Sequence, residues 1–251
     1  MKHPSFLARR QPERLVGGFD RFDGTVQFYQ RVRSLLDDEA TVLDFGAGRG
    51  VSHIDDDVPY RKNLKTIKGH VKEVIGADVD PVVMTNPSLD RAVHIGPNGE
   101  IPLHDASIDL ILSDWTFEHI PDPVSTSHEL DRVLKPGGRI CARTPNRYGY
   151  IALSNQLIPD SLRRRALKSA QPHRKEEDVF PAVYRMNTKS DLLKFFPSER
   201  FKHFVYTWDS SPSYYFGSRF MFSFWSTIHW LSPPAFRTVL MIFIQKRGNL
   251  P

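Results

Sequence analysis

The sequence predicts an α/β protein built on a mostly parallel β-sheet. Short apolar, β-branched runs alternate with segments whose apolar residues recur at helical spacing, and several runs end on an acid beside a glycine. Strands that are apolar along their whole length are typical of a sheet covered by helices on both faces. Ligands of such sheets bind beyond the carboxyl ends of the strands, so the residues there are the first candidates for a site.

The alternation gives seven strands and three main helices. The strands are predicted over residues 41–47, 73–79, 91–95, 108–114, 139–145, 201–208 and 238–247. Apolar residues at helical spacing predict helices over residues 26–36, 124–135 and 187–196. Asn187 or Thr188 is the expected cap of the last helix, and the Pro-Gly-Gly that follows the second one ends it.

The whole chain, residues 1–251, is expected to form one domain around a core at residues 41–145. Residues 1–24 are polar and interrupted by prolines and glycines, which favours an extended N-terminal arm. Two insertions are expected, at residues 146–186 and at residues 209–237 before the final strand. The second is rich in aromatic residues and has three interpretations: a hairpin packed on the sheet, a roof over an apolar pocket, or a membrane-interface segment.

The composition sets only broad limits on function. A net charge of +5 and a pI near 9.3 favour anionic partners mildly. The single cysteine, Cys141, excludes an intramolecular disulfide and cysteine-based metal sites, and it favours a reducing, cytoplasmic setting. No segment resembles a signal peptide or reaches the length of a membrane span. The adjacent acids of "HIDDD" at 53–57 are interpreted as solvated, so no metal site is expected.

The stretch "VLDFGAGRG" at 42–50 brings an acid and three glycines to the end of the first strand. Glycines there allow a ligand to approach the backbone closely. A dinucleotide fingerprint needs a third glycine at the sixth position of the turn, and this chain has Val51 there, which argues against NAD and FAD. A P-loop is excluded because no Gly-Lys-Ser/Thr follows.

Four motifs in this order resemble the class I S-adenosylmethionine-dependent methyltransferases, of the type 11/23 kind. The glycine turn resembles the first family motif, and "VIGADVDP" at 74–81 resembles the motif of the second strand. The segment at 101–123, ending in "EHIPDP", and "ELDRVLKPGG" at 129–138 are similar to the two later motifs. Together the motifs cover residues 41–145.

This resemblance implies a Rossmann-like sheet of seven strands with the last one antiparallel, and S-adenosyl-L-methionine as cofactor. It implies that Asp78 binds the ribose hydroxyls, that the turn at Gly46 and Gly48 holds the methionyl part, and that Asp44 acts towards its amino group. The acid that commonly binds adenine after the third strand is missing near Pro97, so Asn98 or Glu100 is the candidate there. The cofactor-binding residues are therefore expected to be Asp44, Gly46, Ala47, Gly48, Asp78, Val79, Asn98 and Ser113.

The predicted reaction is in-line methyl transfer to a small-molecule, glycan or lipid-linked acceptor at oxygen, with positioning as the main catalytic effect. His119, after the fourth strand, is the first candidate for a general base, and ordering its own loop is the alternative role. His173 and Tyr184 are weaker candidates in the insertion. Nucleic acid is disfavoured as a substrate, because "SDWT" at 113–116 replaces the Asn/Asp-Pro-Pro-aromatic element of nucleobase amino-methylases.

Two other hypotheses remain open from the sequence. One is a binding protein that keeps the fold and has lost catalysis. The other is a peripheral lipid methyltransferase that touches a membrane through residues 213–237.

Overall fold

A computed structural model describes residues 6–50, 55–157, 181–212 and 217–248 of the 251-residue chain. His173, one of the weaker predicted bases, and most of the insertion at 146–186 lie outside the described residues.

One mixed sheet organises the described residues. Its strands are β1 (Thr41–Phe45), β2 (Glu73–Asp78), β3 (Arg91–His94), β4 (Ile108–Asp114), β5 (Leu134–Pro145), β6 (Phe201–His203), β7 (Tyr206–Trp208) and β8 (Val239–Lys246). The order across the sheet is β3-β2-β1-β4-β5-β8-β6, and β7 also pairs with β8. Strands β1 to β5 are parallel, whereas β8 runs antiparallel to β5, β6 and β7. The predicted fold class, with its antiparallel last strand, is confirmed.

The predicted strand at 201–208 appears as two short strands on the same edge of β8. His203 pairs with Ile244 and Tyr206 pairs with Met241, so both halves keep one register. Between them the Phe204 N–H still donates to the Phe243 carbonyl at 2.8 Å. The two halves are therefore the seventh strand of the prediction with a local break.

Eight helices occur among the described residues: α1 (Phe6–Arg10), α2 (Arg14–Gly17), α3 (Gly24–Ser34), α4 (Pro59–Lys65), α5 (Pro123–Val133), α6 (Tyr150–Leu157), α7 (Lys189–Phe195) and α8 (Arg219–Leu231). Phe28, Tyr29 and Val32 of α3 pack on one face of the sheet. Leu130 of α5 and Leu192 of α7 pack on the other face. The sheet is thus buried between two helical layers, as its apolar strands predict.

Side-chain caps fix where α3, α5 and α7 begin. Asp23 accepts from the backbone N–H of Thr25 at 2.9 Å at the start of α3, and Asp122 does the same for Val124 at 3.1 Å at the start of α5. Thr188 caps α7 by accepting from the Asp191 N–H at 3.0 Å. Of the two caps that the sequence offered for α7, Thr188 is the one used.

Two expectations about irregular segments are wrong. The N-terminal arm is not extended over its described part, because it forms α1 and α2, and Phe6 packs edge-on against Phe222 with ring centroids 5.6 Å apart. The aromatic insertion is not a hairpin, since residues 219–231 form α8. Helical spacing turns Phe222 and Trp225 inwards, and Ser218 caps the helix by accepting from the Met221 N–H at 3.3 Å.

Candidate functional site

The glycine turn after β1 is tied to the end of β2. Gly46 and Gly48 have φ values of +80° and +48°, in the left-handed region that favours glycine. The Gly46 N–H donates to the Ala77 carbonyl at 2.8 Å, and the Gly48 N–H donates to Asp78 Oδ2 at 2.8 Å. The predicted residues Asp78, Gly46, Ala47 and Gly48 therefore lie together at the carboxyl edge of the sheet.

The two glycines are needed for different reasons. A Cβ on Gly46 would overlap the Thr116 side chain, which comes from the loop after β4. A Cβ on Gly48 would meet no atom within 4 Å. Gly46 therefore serves internal packing, whereas Gly48 faces open space in which a ligand can rest on the backbone.

The side chain of Asn86 supports the glycine turn through hydrogen bonds. Its side-chain amide donates to the carbonyls of Ala47 at 3.0 Å and Gly48 at 3.2 Å, and its side chain occupies the space that a Cβ on Gly50 would need. Asn86 follows the 3-10 turn Pro81–Thr85 and is buried. No motif marked it, because the contact joins parts of the chain that only the fold brings together.

Four charged residues share one face of the sheet at this edge. Alternate positions along β1, β2, β4 and β5 pack under α3, and the residues that continue the alternation at the strand ends are Asp44, Asp78, Asp114 and Arg143. Asp44 pairs with Gly76 and Leu112, which stand two residues before Asp78 and Asp114. The Asp44 carboxylate therefore lies between the other two, one step deeper in the sheet.

This position changes the acidity of Asp44. Burial, with the neighbouring carboxylates of Asp114 and Asp78, raises the pKa of Asp44 from 3.8 to about 7. Concentrated negative charge at the edge of the sheet suits a cationic ligand, because a cation placed there relieves the repulsion between the carboxylates.

Asp114 and Arg143 form a buried ion pair beside this carboxylate. Two guanidinium nitrogens of Arg143 donate to the two Asp114 oxygens, the Nη2 contact measuring 2.9 Å. The Tyr29 hydroxyl of α3 donates to Asp114 Oδ2 at 3.0 Å. Burial and the Asp114 charge raise the pKa of Tyr29 well above 10, so the hydroxyl stays a donor. This cluster fixes α3 over the edge of the sheet, and no sequence motif marks it.

Trp115 follows the ion pair in a strained backbone conformation. Its φ is +62°, a value that a bulky residue rarely adopts, and its side chain is 40% exposed. The Arg143 guanidinium lies 5.3 Å from the centre of the Trp115 ring, within cation–π distance. The loop after β4 thus presents an aromatic surface next to the carboxylate cluster.

Two other predicted cofactor-binding residues, Val79 and Asn98, lie near the β3 side of the sheet. Val79 follows Asp78, is 64% exposed, and its carbonyl is 2.9 Å from Nε2 of His94 at the end of β3. Asn98 is exposed, and its amide donates to Glu100 Oε2 at 3.1 Å, so the two predicted adenine candidates form one polar pair.

Ser113 lies apart from the carboxylates. By strand alternation it shares the face of Ile111, opposite to that of Asp114. It is fully buried and its hydroxyl has no hydrogen-bond partner among the described residues. The structure does not bring Ser113 together with the other predicted cofactor residues.

Two contacts hold His119 in place: its N–H donates to the Thr116 carbonyl at 2.9 Å, and one ring nitrogen contacts a backbone carbonyl. Its Nδ1 is 3.0 Å from the Pro181 carbonyl, which can only accept, so Nδ1 carries a proton. Nε2 is 3.9 Å from Oε1 of the buried Glu118. Tyr184, another predicted candidate, is buried beside the same segment and donates its N–H to the Glu118 carbonyl at 3.1 Å.

The acidic run after the glycine turn supports α4. Asp56 Oδ1 accepts from Arg61 Nη2 at 2.8 Å, and Lys65 Nζ lies 2.6 Å from Asp56 Oδ2. Asp56 and Lys65 are both buried, and Arg61 also pairs with Asp23 at 2.9 Å. The interpretation of these acids as simply solvated is therefore wrong for Asp56. No group of three or more potential metal ligands occurs within the part of the chain that the structure describes.

A comparison with known families identifies the fold around this turn. Residues 43–142 match the protein-family model described as "Methyltransferase domain". These residues form a methyltransferase domain of the class I, S-adenosylmethionine-dependent family. The matched segment begins in β1 and ends in β5, so it contains the glycine turn, Asp78 and the loop after β4. The predicted family is confirmed, and S-adenosyl-L-methionine is the cofactor that the family implies.

Curated relatives resemble the same part of the chain. A probable S-adenosylmethionine-dependent methyltransferase of Mycolicibacterium smegmatis is 33% identical over 114 residues, which cover 43% of this chain and 39% of the relative. Malonyl-[acyl-carrier protein] O-methyltransferase 1 of Coxiella burnetii is 29% identical over 152 residues, 61% of this chain and 44% of that protein. The chain thus spans less than half the length of these relatives.

A solved structure supports the fold of the methyltransferase domain. A SAM-dependent methyltransferase of Methanosarcina mazei is 17% identical, aligns over 87% of this chain and 98% of its own, and has a TM-score of 0.52. At this identity the likeness concerns the fold alone.

The described residues fit the family's cofactor. S-adenosylmethionine carries a sulfonium, an ammonium, a carboxylate and a ribose diol. Gly48 leaves open space beside the backbone, and both Asp78 oxygens keep acceptor capacity after their bonds to the N–H groups of Gly48 and Asp80. The Asp44 carboxyl, whose pKa burial and its neighbours raise to about 7, would ionise more readily beside a cationic group of the cofactor, whereas the charge of Asp114 is already balanced by Arg143.

Proposed function

We propose that this chain is an S-adenosylmethionine-dependent methyltransferase. The observation that carries the proposal is the glycine turn, open at Gly48 and hydrogen-bonded to Asp78, beside three carboxylates at one edge of the sheet. A carboxylate next to an open, side-chain-free turn suits a ligand that combines a diol with positive charge.

The cofactor is proposed to lie across the ends of β1 and β2. Asp78 accepts from the two ribose hydroxyls, and the backbone of Gly46, Ala47 and Gly48 supports the methionyl part. Asp44 lies on the side where the positive charge of the ligand belongs, since its carboxylate is flanked by two others. The exposed Val79 side chain offers apolar contact to the adenine ring, and the polar pair of Asn98 and Glu100 lies beyond β3.

The bound cofactor supplies an electrophilic methyl group, so the main task of the protein is to orient an acceptor. Positioning of this kind can account for roughly 7–11 kcal/mol of barrier lowering. The strained loop after β4 supports this role, because Thr116 packs against Gly46 and Trp115 directly precedes it. We propose that Trp115 contacts the acceptor.

The proposed acceptor is a small-molecule, glycan or lipid-linked compound that is methylated at oxygen. A hydroxyl acceptor needs a general base, and His119, which follows β4 and whose Nδ1 lies 3.0 Å from the Pro181 carbonyl, is the proposed one. The Coxiella burnetii relative is named as an O-methyltransferase, which agrees with oxygen as the target.

A second candidate function is binding without catalysis. It is favoured by one observation: no acid at the end of β3 stands where the family commonly binds adenine, and Asn98 and Glu100 are exposed and paired with each other. Retained cofactor binding with no methyl transfer to any member of a broad acceptor library would support this candidate over the enzyme.

Calorimetric titration with S-adenosylmethionine tests the proposed site. Asp78→Asn should weaken binding about 10- to 100-fold, because it removes one charge-assisted acceptor of the diol. Asp38→Asn is the matched control, since Asp38 is exposed in the loop before β1 at the opposite edge of the sheet. No heat and no thermal shift for the wild type at millimolar ligand would refute the proposal.

A further inference from the structure

Helix α8 turns an apolar face towards solvent. Trp230 is 84% exposed, Phe220 is 76% exposed and Leu231 is 62% exposed, and Phe224 and Phe236 are exposed as well. At ~100° per residue the four exposed apolar residues of α8 fall within about 120° of the helix circumference. They share this sector with Ser223 and the exposed Thr227, and together these residues form an apolar stripe that carries two hydroxyls, the outer face of α8.

Inward contacts of α8 do not explain this stripe. The helix is anchored from its other side by Phe222, which packs on Phe6 of α1, and by Trp225, which stacks on Tyr150 of α6 at 4.2 Å between ring centroids. A surface helix normally turns polar residues outwards once its inner face is buried. An outer face of large apolar side chains marks an interaction surface.

The charges around the outer face are positive. Arg10 of α1 donates to the hydroxyl of Ser223 at 3.1 Å, and the Arg219 guanidinium lies 5.5 Å from the centre of the Phe6 ring. Neither α1 nor α8 contains an acidic residue. Asp209, which is close enough to affect His229, is half-buried and accepts from the Thr238 hydroxyl at 2.8 Å. The rim along the N-terminal half of the apolar stripe is thus cationic.

We propose that the outer face of α8 docks on the surface of an anionic lipid bilayer, with its aromatic side chains at headgroup depth and Arg10 and Arg219 at the lipid phosphates. Exposed aromatic residues with an arginine rim are typical of helices that lie in a membrane interface. A symmetric second copy of the chain is the other possible occupant, and the test below distinguishes it. No described helix is long and apolar enough to cross a bilayer.

Docking in this way would bring the lipid to the edge of the sheet that holds the candidate site. Strand β7 runs in the same direction as β5, and α8 follows its end, at the carboxyl edge of the sheet. The glycine turn lies at this same edge. The surface would therefore present the site to acceptors held at a membrane, although the docking itself does not depend on the proposed methyl transfer.

Co-sedimentation of the full chain with vesicles tests the proposal without cofactor. Binding is expected to vesicles of phosphatidylglycerol and phosphatidylcholine, to weaken with added salt, and to be low on phosphatidylcholine alone. The double variant Phe220→Ser, Trp230→Ser should reduce binding about tenfold or more. The matched control, Phe204→Ser with Leu193→Ser, removes exposed apolar side chains from β6–β7 and α7 and should bind as the wild type does.

Charge is tested in the same assay. Arg219→Glu should weaken binding to the anionic vesicles, and Lys202→Glu, an exposed reversal on β6, should change it less. Thermal melting of each variant confirms that it is folded. The proposal is overturned if the wild type binds neither vesicle, if the double variant and its control bind equally, or if sedimentation equilibrium shows instead a dimer that the double variant abolishes.

Discussion

Asp44 is the residue whose chemistry depends most on where the sheet places it. Its folded pKa of about 7 lies above its ordinary value of 3.8, because burial and the charges of Asp114 and Asp78 disfavour the ionised form. Between these two pH values the unfolded chain has released the proton and the folded chain keeps it. The contribution of Asp44 to the free energy of unfolding is therefore fully present below pH ~4. It is lost as the pH rises to about 7.

Asp44→Asn tests this assignment through the free energy of unfolding. An asparagine at this position does not titrate, so the variant does not lose this contribution as the pH rises. The free energy of unfolding of the variant minus that of the wild type should therefore increase from pH 5 to pH 8, by about 1–4 kcal/mol. Urea denaturation at the two pH values measures the difference. Asp38→Asn should show no such change, because Asp38 is exposed. Equal pH dependence of wild type and Asp44→Asn would contradict the raised pKa.

At the scale of the element, the two glycines of the turn after β1 have different roles, one in packing and one in ligand binding. Gly48→Ala should lower the free energy of unfolding by only about 1 kcal/mol, since the new Cβ meets no neighbour and only the positive φ is unfavourable. It should nevertheless weaken S-adenosylmethionine binding at least tenfold if the ligand occupies that space. Gly46→Ala should destabilise more, because its Cβ overlaps Thr116. Chemical denaturation and calorimetry on both variants decide this, and unaltered affinity in Gly48→Ala would place the ligand elsewhere.

Helix α3 is joined to the strand ends by the Tyr29 hydroxyl. Tyr29→Phe should cost about 1.5–3 kcal/mol of unfolding free energy, because the hydroxyl donates to a charged acceptor, Asp114. Tyr206→Phe is a natural control, since the Tyr206 hydroxyl is buried without a hydrogen-bond partner among the described residues. Its removal should be neutral or stabilising. Urea denaturation of both variants checks the contrast, and equal losses would be evidence against the cluster as a tie between α3 and the sheet.

At the scale of the whole molecule, what the sequence predicts well is what local pattern determines. Strand β4 appears with the predicted bounds and β1, β2 and β3 within two residues of them, because their apolar runs are bounded by acids and glycines. The glycine turn and Asp78 meet as expected, since consecutive parallel strands end at one edge.

The features that the sequence did not reveal depend on contacts between distant segments. Asn86 reaches the turn 38 residues away, and Tyr29 reaches Asp114 85 residues away. The sequence allows a hairpin where α8 forms, because the aromatic residues of α8 face both the protein and the solvent and therefore show no clear helical period. The roles of the site residues stay predictions.

The most direct measurement is a crystal structure of the chain soaked with S-adenosylhomocysteine, which cannot transfer a methyl group. We expect the ligand across the ends of β1 and β2, with both ribose hydroxyls within hydrogen-bonding distance of the Asp78 carboxylate and the amino-acid part against Gly48. An empty crevice, or a ribose held by other residues, would contradict the account.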